Sequence, residues 1–388
     1  MDWKVSEAVV TQPLISADDR VQEHPRLWTE RLAHSKWGDR IPHVERASDG
    51  TERWMIDGRP AHLAGVANAT ATMPDRDREP QRWEDVAPAA YDPAARLEAM
   101  DADGVAVSVL YPTVAGAGGE AFGRIADPAL ELACVQAYND WLIDEWAATS
   151  ERFVPQCIVP LYPAEAAAAE IQRAVARGHR GVIYPPVPME LRDVPHLNGP
   201  EYDLLWSTCE ELGVPISFQA GTATSIQAPA AGLTGPVADA FTAIAASASS
   251  VSLVVNLLIS GILLRHPKLK VVFAGSSLGW GAYLLEFTDH QAHEDALHLE
   301  GLDLKPSELF RRQCYLTGWY DRAGVQVRHI IGPESMLWST QFPLATSTWP
   351  STRAQIAASF EGVNERETQQ ILWDNAASLY RVNARVTA

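Results

Sequence analysis

Basic residues are scarce in this chain. Lys and Arg together number 31 against 49 Asp and Glu in 388 residues, a formal net charge of −18. A nucleic-acid partner wants a basic face, so this balance argues against one. Cysteine is scarce as well: four residues, at 134, 157, 209 and 314, with no CxxC pair. Thiols so scattered are expected to be buried in a reducing compartment. Long apolar runs are missing. The longest, VSLVVNLLISGILL at 251–264, is broken by Asn256 and too short to span a bilayer, so a buried helix is expected there and no membrane partner. The N-terminal MDWKVSEAVVTQP has no basic region ahead of an apolar core. No signal peptide is therefore expected, and the location implied is cytoplasmic. No Walker-type or dinucleotide glycine motif occurs, so no nucleotide cofactor is implied.

What is present is an ordinary globular composition, 47% apolar and 21% charged, in a chain long enough to bury a large core without staples. Short, nearly continuous apolar runs recur: PLISAD (13–18), GVAVSVLYP (104–112), FVPQCIVPLY (153–162), GVIYPPV (181–187), VPISFQAG (214–221), KVVFAGSS (270–277), CYLTGWY (314–320) and MLWSTQF (336–342). Such runs mean strands buried on both faces, as in a parallel sheet. Helical patterns lie between them, at 130–148, 163–178 and 200–213, the last two opening on Pro and stopping at Gly. Eight strands in alternation with helices predict an α/β fold, a (β/α)8 TIM barrel. Residues 33–95, rich in charge and proline with a hairpin-like TERWMIDGRPAHL (51–63), read as a long insertion after the first strand. An insertion at a barrel's upper face forms part of a lid or pocket wall. The tail from Pro350 reads as helical, and 1–388 reads as one domain.

The texture of the strand ends resembles the amidohydrolase-related family, the metal-dependent TIM-barrel branch that includes aminocarboxymuconate-semialdehyde decarboxylase and the resorcylate-type decarboxylases. The carrying segments are ISADDRVQEHPRLW, MDADGVAVSVLYPT, RGVIYPP, YDLLWSTCEELGVPISF, HPKLKVVFAGSSLGWGAYLLE and MLWSTQFPLATSTWP, within a match from about Leu14 to Tyr380. The resemblance implies a divalent metal held at strand tips: Asp-x-His or His-x-His on the first strand, His on the fifth, His or Glu after the sixth, and Asp on the eighth. This chain has Asp18 and Arg20 on the first strand, Gln219 on the fifth, Gly275 after the sixth and Gln341 on the eighth. Zinc takes His, Cys or carboxylate, three protein ligands at a catalytic site. An arginine stays cationic and repels a divalent ion. The expectation is therefore a barrel without metal ligands and without a cofactor, in which Arg20 pairs with Asp18 on one side of the strand.

Chemistry without a metal needs acids, bases or oriented dipoles at strand ends. The catalytic candidates are Asp18, Arg20, His24, Gln219 and Tyr320. The substrate-binding candidates are Tyr111, Tyr184, Trp319, Trp338, Gln341, Ser276 and His290. Each has a plainer reading: Asp18 as a partner for Arg20, the glutamines as space filling, the tyrosines as pocket walls, and His290 with His293 as a surface cluster. His43 and His62, in the insertion, are candidates to descend with a lid. Ser276 and Ser277 have no Gly-x-Ser-x-Gly elbow around them.

By resemblance, the substrate is a small aromatic or unsaturated carboxylate or carbonyl compound. Losing the metal harms water activation most and reactions driven by positioning least. The first reading is accordingly lyase, isomerase or cyclase chemistry in a specialised pathway. The second is hydrolysis of an activated ester, lactone or thioester, and the third a non-catalytic binding protein. A homo-oligomer, a dimer, is expected by the same resemblance.

Overall fold

The computed structural model describes residues 12–383 apart from 62, 64, 75, 77, 223–235 and 295–303. Eight parallel strands form one sheet: β1 (Ile15–Arg20), β5 (Val107–Tyr111), β6 (Phe153–Ile158), β7 (Gly181–Ile183), β8 (Ile216–Gln219), β9 (Val271–Ala274), β10 (Cys314–Gly318) and β11 (Met336–Trp338), each beside the next in chain order. These are the first to eighth strands of a TIM barrel, as the alternation predicts. Every residue of β1, β5, β6, β7, β8, β9 and β11 is buried, which is why they read as apolar runs rather than alternating ones.

Helices follow the strands. Pro93–Asp103 (α1) precedes β5, with Asp92 accepting the Ala95 N–H as its cap and Gly104 ending it in the left-handed region. Pro128–Trp141 (α2) is capped by Asp127 and passes into a π-helical stretch, Leu142–Ala147. Ala164–Arg177 (α3), Asp203–Leu212 (α4), Pro236–Ala246 (α5), Ala248–Ile259 (α6), Gly279–Glu294 (α7) and Pro306–Gln313 (α8) follow. The four cysteines are free and buried, as expected. Among the described residues no helix is long and apolar enough to cross a membrane.

The ring is closed between β1 and the end of β11 by mixed contacts. Arg20 N–H donates to Phe342 O at 2.7 Å, and Thr340 N–H to Ser16 Oγ at 2.8 Å. The join depends on a bulge in β1. Ser16 lies opposite Ser108 and Asp19 opposite Leu110, so three steps along β1 match two along β5. In a regular strand residues three apart face opposite sides. Here the Ser16 hydroxyl instead donates to Asp19 Oδ1 at 2.7 Å. The same oxygen accepts from Thr340 Oγ1 at 2.7 Å and Phe342 N–H at 3.1 Å, while Oδ2 accepts Ser108 Oγ at 2.6 Å. Asp19 thus ties three segments together, and its neighbours Asp18 and Arg20 are left facing the mouth.

Between β1 and α1 lies a separate antiparallel sheet, β2 (His43–Arg46), β3 (Glu52–Ile56) and β4 (Arg59–Pro60). The β3–β4 turn, Asp57-Gly58, has positive φ at both residues, the geometry that joins tight hairpins. The chain beyond it lies against the strand-end loops. Ala71 N–H donates to Pro343 O at 3.0 Å, Asn68 N–H to Gln22 Oε1 at 3.2 Å, and Arg76 Nη2 to Ser347 O at 3.1 Å.

Candidate active site

Three strand tips meet at Asp18. Gln341 Nε2 donates to Asp18 Oδ2 at 2.6 Å, and Gln219 Nε2 approaches the same oxygen at 3.4 Å. Arg20 Nη2 stands 3.4 Å from Asp18 Oδ1. All four side chains are buried, Arg20 at 3% exposure and Gln219 at 6%. Gln341 reaches its position from a left-handed backbone, φ 58°, which a non-glycine residue adopts at some cost. Gly275 makes room for the amides: a Cβ there would sit 2.4 Å from Gln219 Nε2 and 3.4 Å from Asp18 Oδ2. The glycine at the family's His/Glu position and the glutamine at its His position therefore fit as a pair, amide filling the space of a missing side chain.

Burial pushes the Asp18 carboxyl above its usual range, and Asp19 adds to this, while the Arg20 charge and the two amides pull the other way. Below the cluster, Tyr111 lies under the Arg20 guanidinium, 5.1 Å from its carbon to the ring centre, and burial pushes its hydroxyl up to about 12. The Tyr111 ring end points toward Ser217, Gln156 and Tyr380, and Ser217 Oγ donates to Gln156 Oε1 at 3.0 Å.

Three buried polar atoms in this cluster have no hydrogen-bond partner among the described residues: Asp18 Oδ1, Arg20 Nη1 and Gln219 Oε1. Unsatisfied buried groups are costly and rare in native cores. Here two acceptors and one charged donor occur together at the barrel's upper end, complementary to a ligand that offers both an acceptor and a donor.

The structure carries the other candidates to different surroundings. Tyr320 is 72% exposed and borders a shallow hollow of about 490 Å³ with Arg322, Gln355 and Glu361. It lies two residues past the end of β10, outside the strand register that the tip reading assumed. Trp338 and Tyr184 are fully buried but face away from the mouth: Trp338 packs edge-on against Phe360 at 5.0 Å, and the Tyr184 hydroxyl donates to Leu161 O at 2.6 Å. One step of strand parity separates an inward side chain from one in the helix layer. Ser276 is buried, its hydroxyl donating to Ser277 O at 3.1 Å, and Trp319 is half-buried. His290 and His293 are exposed on α7. His24 stands edge-on to Trp83 at 5.2 Å and Tyr91 at 5.9 Å. Its charged neighbours are Arg26, Glu30 and Glu145 rather than the Asp18 cluster, and burial and Arg26 lower its pKa. His43 is held by Ile41 O at 2.7 Å, and His62 lies outside the described residues.

Two carboxyls escaped the sequence reading. Glu23, fully buried, accepts the N–H groups of Thr113 at 3.2 Å and Val114 at 2.9 Å, and burial pushes it up to about 7. Glu120, at the start of a short helix (Glu120–Gly123) after β5, has its carboxyl raised by burial, with the Arg20 charge opposing this. No strand-tip motif marks either; the glycines of GAGGE around Glu120 were the available signal.

The amidohydrolase family pattern matches residues 39–382, and the chain belongs to that family of enzymes. Similar solved structures share the fold. They include the amidohydrolase map2389c of Mycobacterium avium subsp. paratuberculosis K-10, with 20% identity and TM-score 0.74 over 95% of this chain and 99% of that one. Another is 5-carboxyvanillate decarboxylase LigW of Sphingomonas paucimobilis, with 21% identity and TM-score 0.64 over 96% and 100%. A third is a dihydroxybenzoic acid decarboxylase of Polaromonas sp. JS666 with bound manganese and 2-nitroresorcinol, with 20% identity and TM-score 0.64 over 97% and 99%.

The residues here do not fit such a metal. Among the described residues no three His, Cys, Asp or Glu side chains are grouped to hold one. Among the tip residues Asp18, Arg20, Gln219, Gly275 and Gln341, Asp18 alone is an ordinary ligand. Its Oδ2 is taken by an amide donor, and its Oδ1 faces a guanidinium. A cation entering that space would meet Arg20 at close range, with the charge repulsion undamped by water.

Proposed function

We propose that this enzyme works on a small carboxylate or carbonyl compound by lyase-type chemistry, without a metal, and that Arg20 occupies the charge position a cation holds in metal-binding relatives. The observation that carries the reading is a buried set of atoms without a hydrogen-bond partner among the described residues: Arg20 Nη1 as donor, Gln219 Oε1 as acceptor, and Asp18 Oδ1, which only the Arg20 charge faces. A planar carboxylate meets a guanidinium fork well. A hydroxyl on the same molecule would satisfy Asp18 or Gln219. Hydroxylated aromatic carboxylates carry both groups in one rigid frame, which agrees with the decarboxylases among the structural relatives. In this scheme Arg20 binds and orients, the amides of Gln219 and Gln341 hold Asp18 in place, and Asp18 accepts a hydrogen bond or a proton from the ligand.

The test joins elemental mass spectrometry on protein purified without chelator to calorimetric binding of 2,6-dihydroxybenzoate. Expected are metal well below one equivalent, binding unchanged by chelation, and affinity reduced at least tenfold in Arg20→Ala. Near-stoichiometric manganese or zinc, or binding untouched in Arg20→Ala, would overturn the reading.

A further inference from the structure

Resting on this site, and going beyond its binding role, the geometry points to Glu120 as the group that passes a proton to the ligand held by Arg20. The loop after β5 carries it there. Gly118 on that loop is so near the chain beyond β8 that a Cβ would lie 3.1 Å from Thr222 Oγ1. In the sheet, β5 and β8 are separated by β6 and β7. A loop from one that touches the end of the other therefore crosses the strand ends between them, and Glu120 stands beside that contact, its Oε2 3.4 Å from the same Cβ position. The loop is shaped around this carboxyl. Gly118 N–H donates to Glu120 Oε2 at 2.8 Å. At Gly116, φ 86°, a Cβ would stand 2.5 Å from both the carboxyl carbon and Oε2, so the acid group occupies space that any other residue there would take.

The charges around it match the role. Burial raises the Glu120 carboxyl above its usual range; Arg20 and Arg124 oppose this. Asp18, the other carboxyl facing Arg20, is enclosed by amide donors, which suit it to remain an acceptor. Glu120 also stands in for what the strand tips have lost, since Gln219 and Gln341 cannot ionise. For loss of carbon dioxide the step balances without a further reagent. The electron pair of the breaking C–C bond stays on the substrate carbon, the Glu120 proton joins it, and carbon dioxide leaves with Glu120 as the carboxylate.

Two measurements test this separately from the binding reading. First, the carboxyl carbons of 13C-glutamate-labelled protein are titrated without ligand, the Glu120 signal being assigned by its loss in Glu120→Gln. Its midpoint should lie above the ordinary glutamate range and rise further in Arg20→Gln, where the opposing charge is gone. A midpoint that Arg20→Gln leaves unmoved overturns the proposal, even if Arg20→Ala abolishes ligand binding. Second, on a turned-over hydroxybenzoate, Glu120→Gln should lower kcat by about a hundredfold or more with KM nearly unchanged. Glu120→Asp should recover part of the rate with a shifted pH profile. A rise in KM alone would make Glu120 a wall of the pocket and refute the transfer role.

Discussion

Gly275 shows how much one residue can decide. Its positive φ of 62° and its nearness to Gln219 make it the floor on which the amides rest. Gly275→Ala should cost roughly 2–4 kcal/mol, combining a strained backbone with a displaced Gln219. Gly362→Ala is the control, since Gly362 has φ 76° with nothing within 4 Å of a Cβ and should show the backbone cost alone. Denaturant titration of both variants measures the difference. Equal losses would mean that Gln219 swings aside freely and that the packing of the two positions carries no weight. The aromatic residues teach the converse lesson. Tyr111 was legible as a neighbour of the strand-tip cluster because it closes a strand on the inward parity, under Arg20. Trp338 and Tyr184 look the same in sequence and face the other way.

At the scale of elements, the candidate site is three strand ends, β1, β8 and β11, whose tip residues differ from the metal ligands that the family resemblance implies. If the strand frames are preserved, restoring the tips restores the ligand set. The triple variant Arg20→His, Gln219→His, Gln341→Asp should take up about one equivalent of zinc or manganese by elemental mass spectrometry, since with Asp18 it meets the three-ligand requirement. Each single variant should bind little. A folded triple variant that stays metal-free would show that the strand tips have moved, as well as changed identity. Part of this was readable beforehand, because MLW and FP bracket Gln341 and set its place in β11's extension. The bulge that sends Asp19 to the β1–β11 seam was not, since a bulge leaves the run of apolar residues unbroken.

For the molecule as a whole, Glu23 links pH to stability. It joins the segment after β1 to the loop after β5, and in the folded protein it loses its proton near 7 rather than at its ordinary 4.5. The folded state therefore holds a proton that the unfolded chain has already released. Stability falls as pH rises from about 4.5 to about 7 and levels off above that. Glu23→Gln cannot ionise and escapes this decline. Between pH 5 and pH 8 its stability relative to the parent should improve by on the order of 2 kcal/mol. Unfolding titrations at the two pH values check this, and a constant difference would show that Glu23 is already ionised at pH 5.

The sequence by itself determined the barrel, its family and the identity of the tip residues. Strands buried on both faces read as mostly apolar runs, and three helix stops are left-handed glycines, Gly104, Gly178 and Gly213, so both are written locally. It also named Arg20, Gln219, Gly275 and Gln341 at the tips, because side-chain identity belongs to the residue. Only the tertiary structure decided which side chains meet. Closure of β1 on β11 brought Gln341 to Asp18 across 323 positions of sequence. A loop from β5 carried Glu120 toward Arg20, and a single step of parity or one bulged residue turned Trp338 and Asp19 elsewhere. Contacts of that range depend on how the ring closes, and ring closure is a property of all eight strands together.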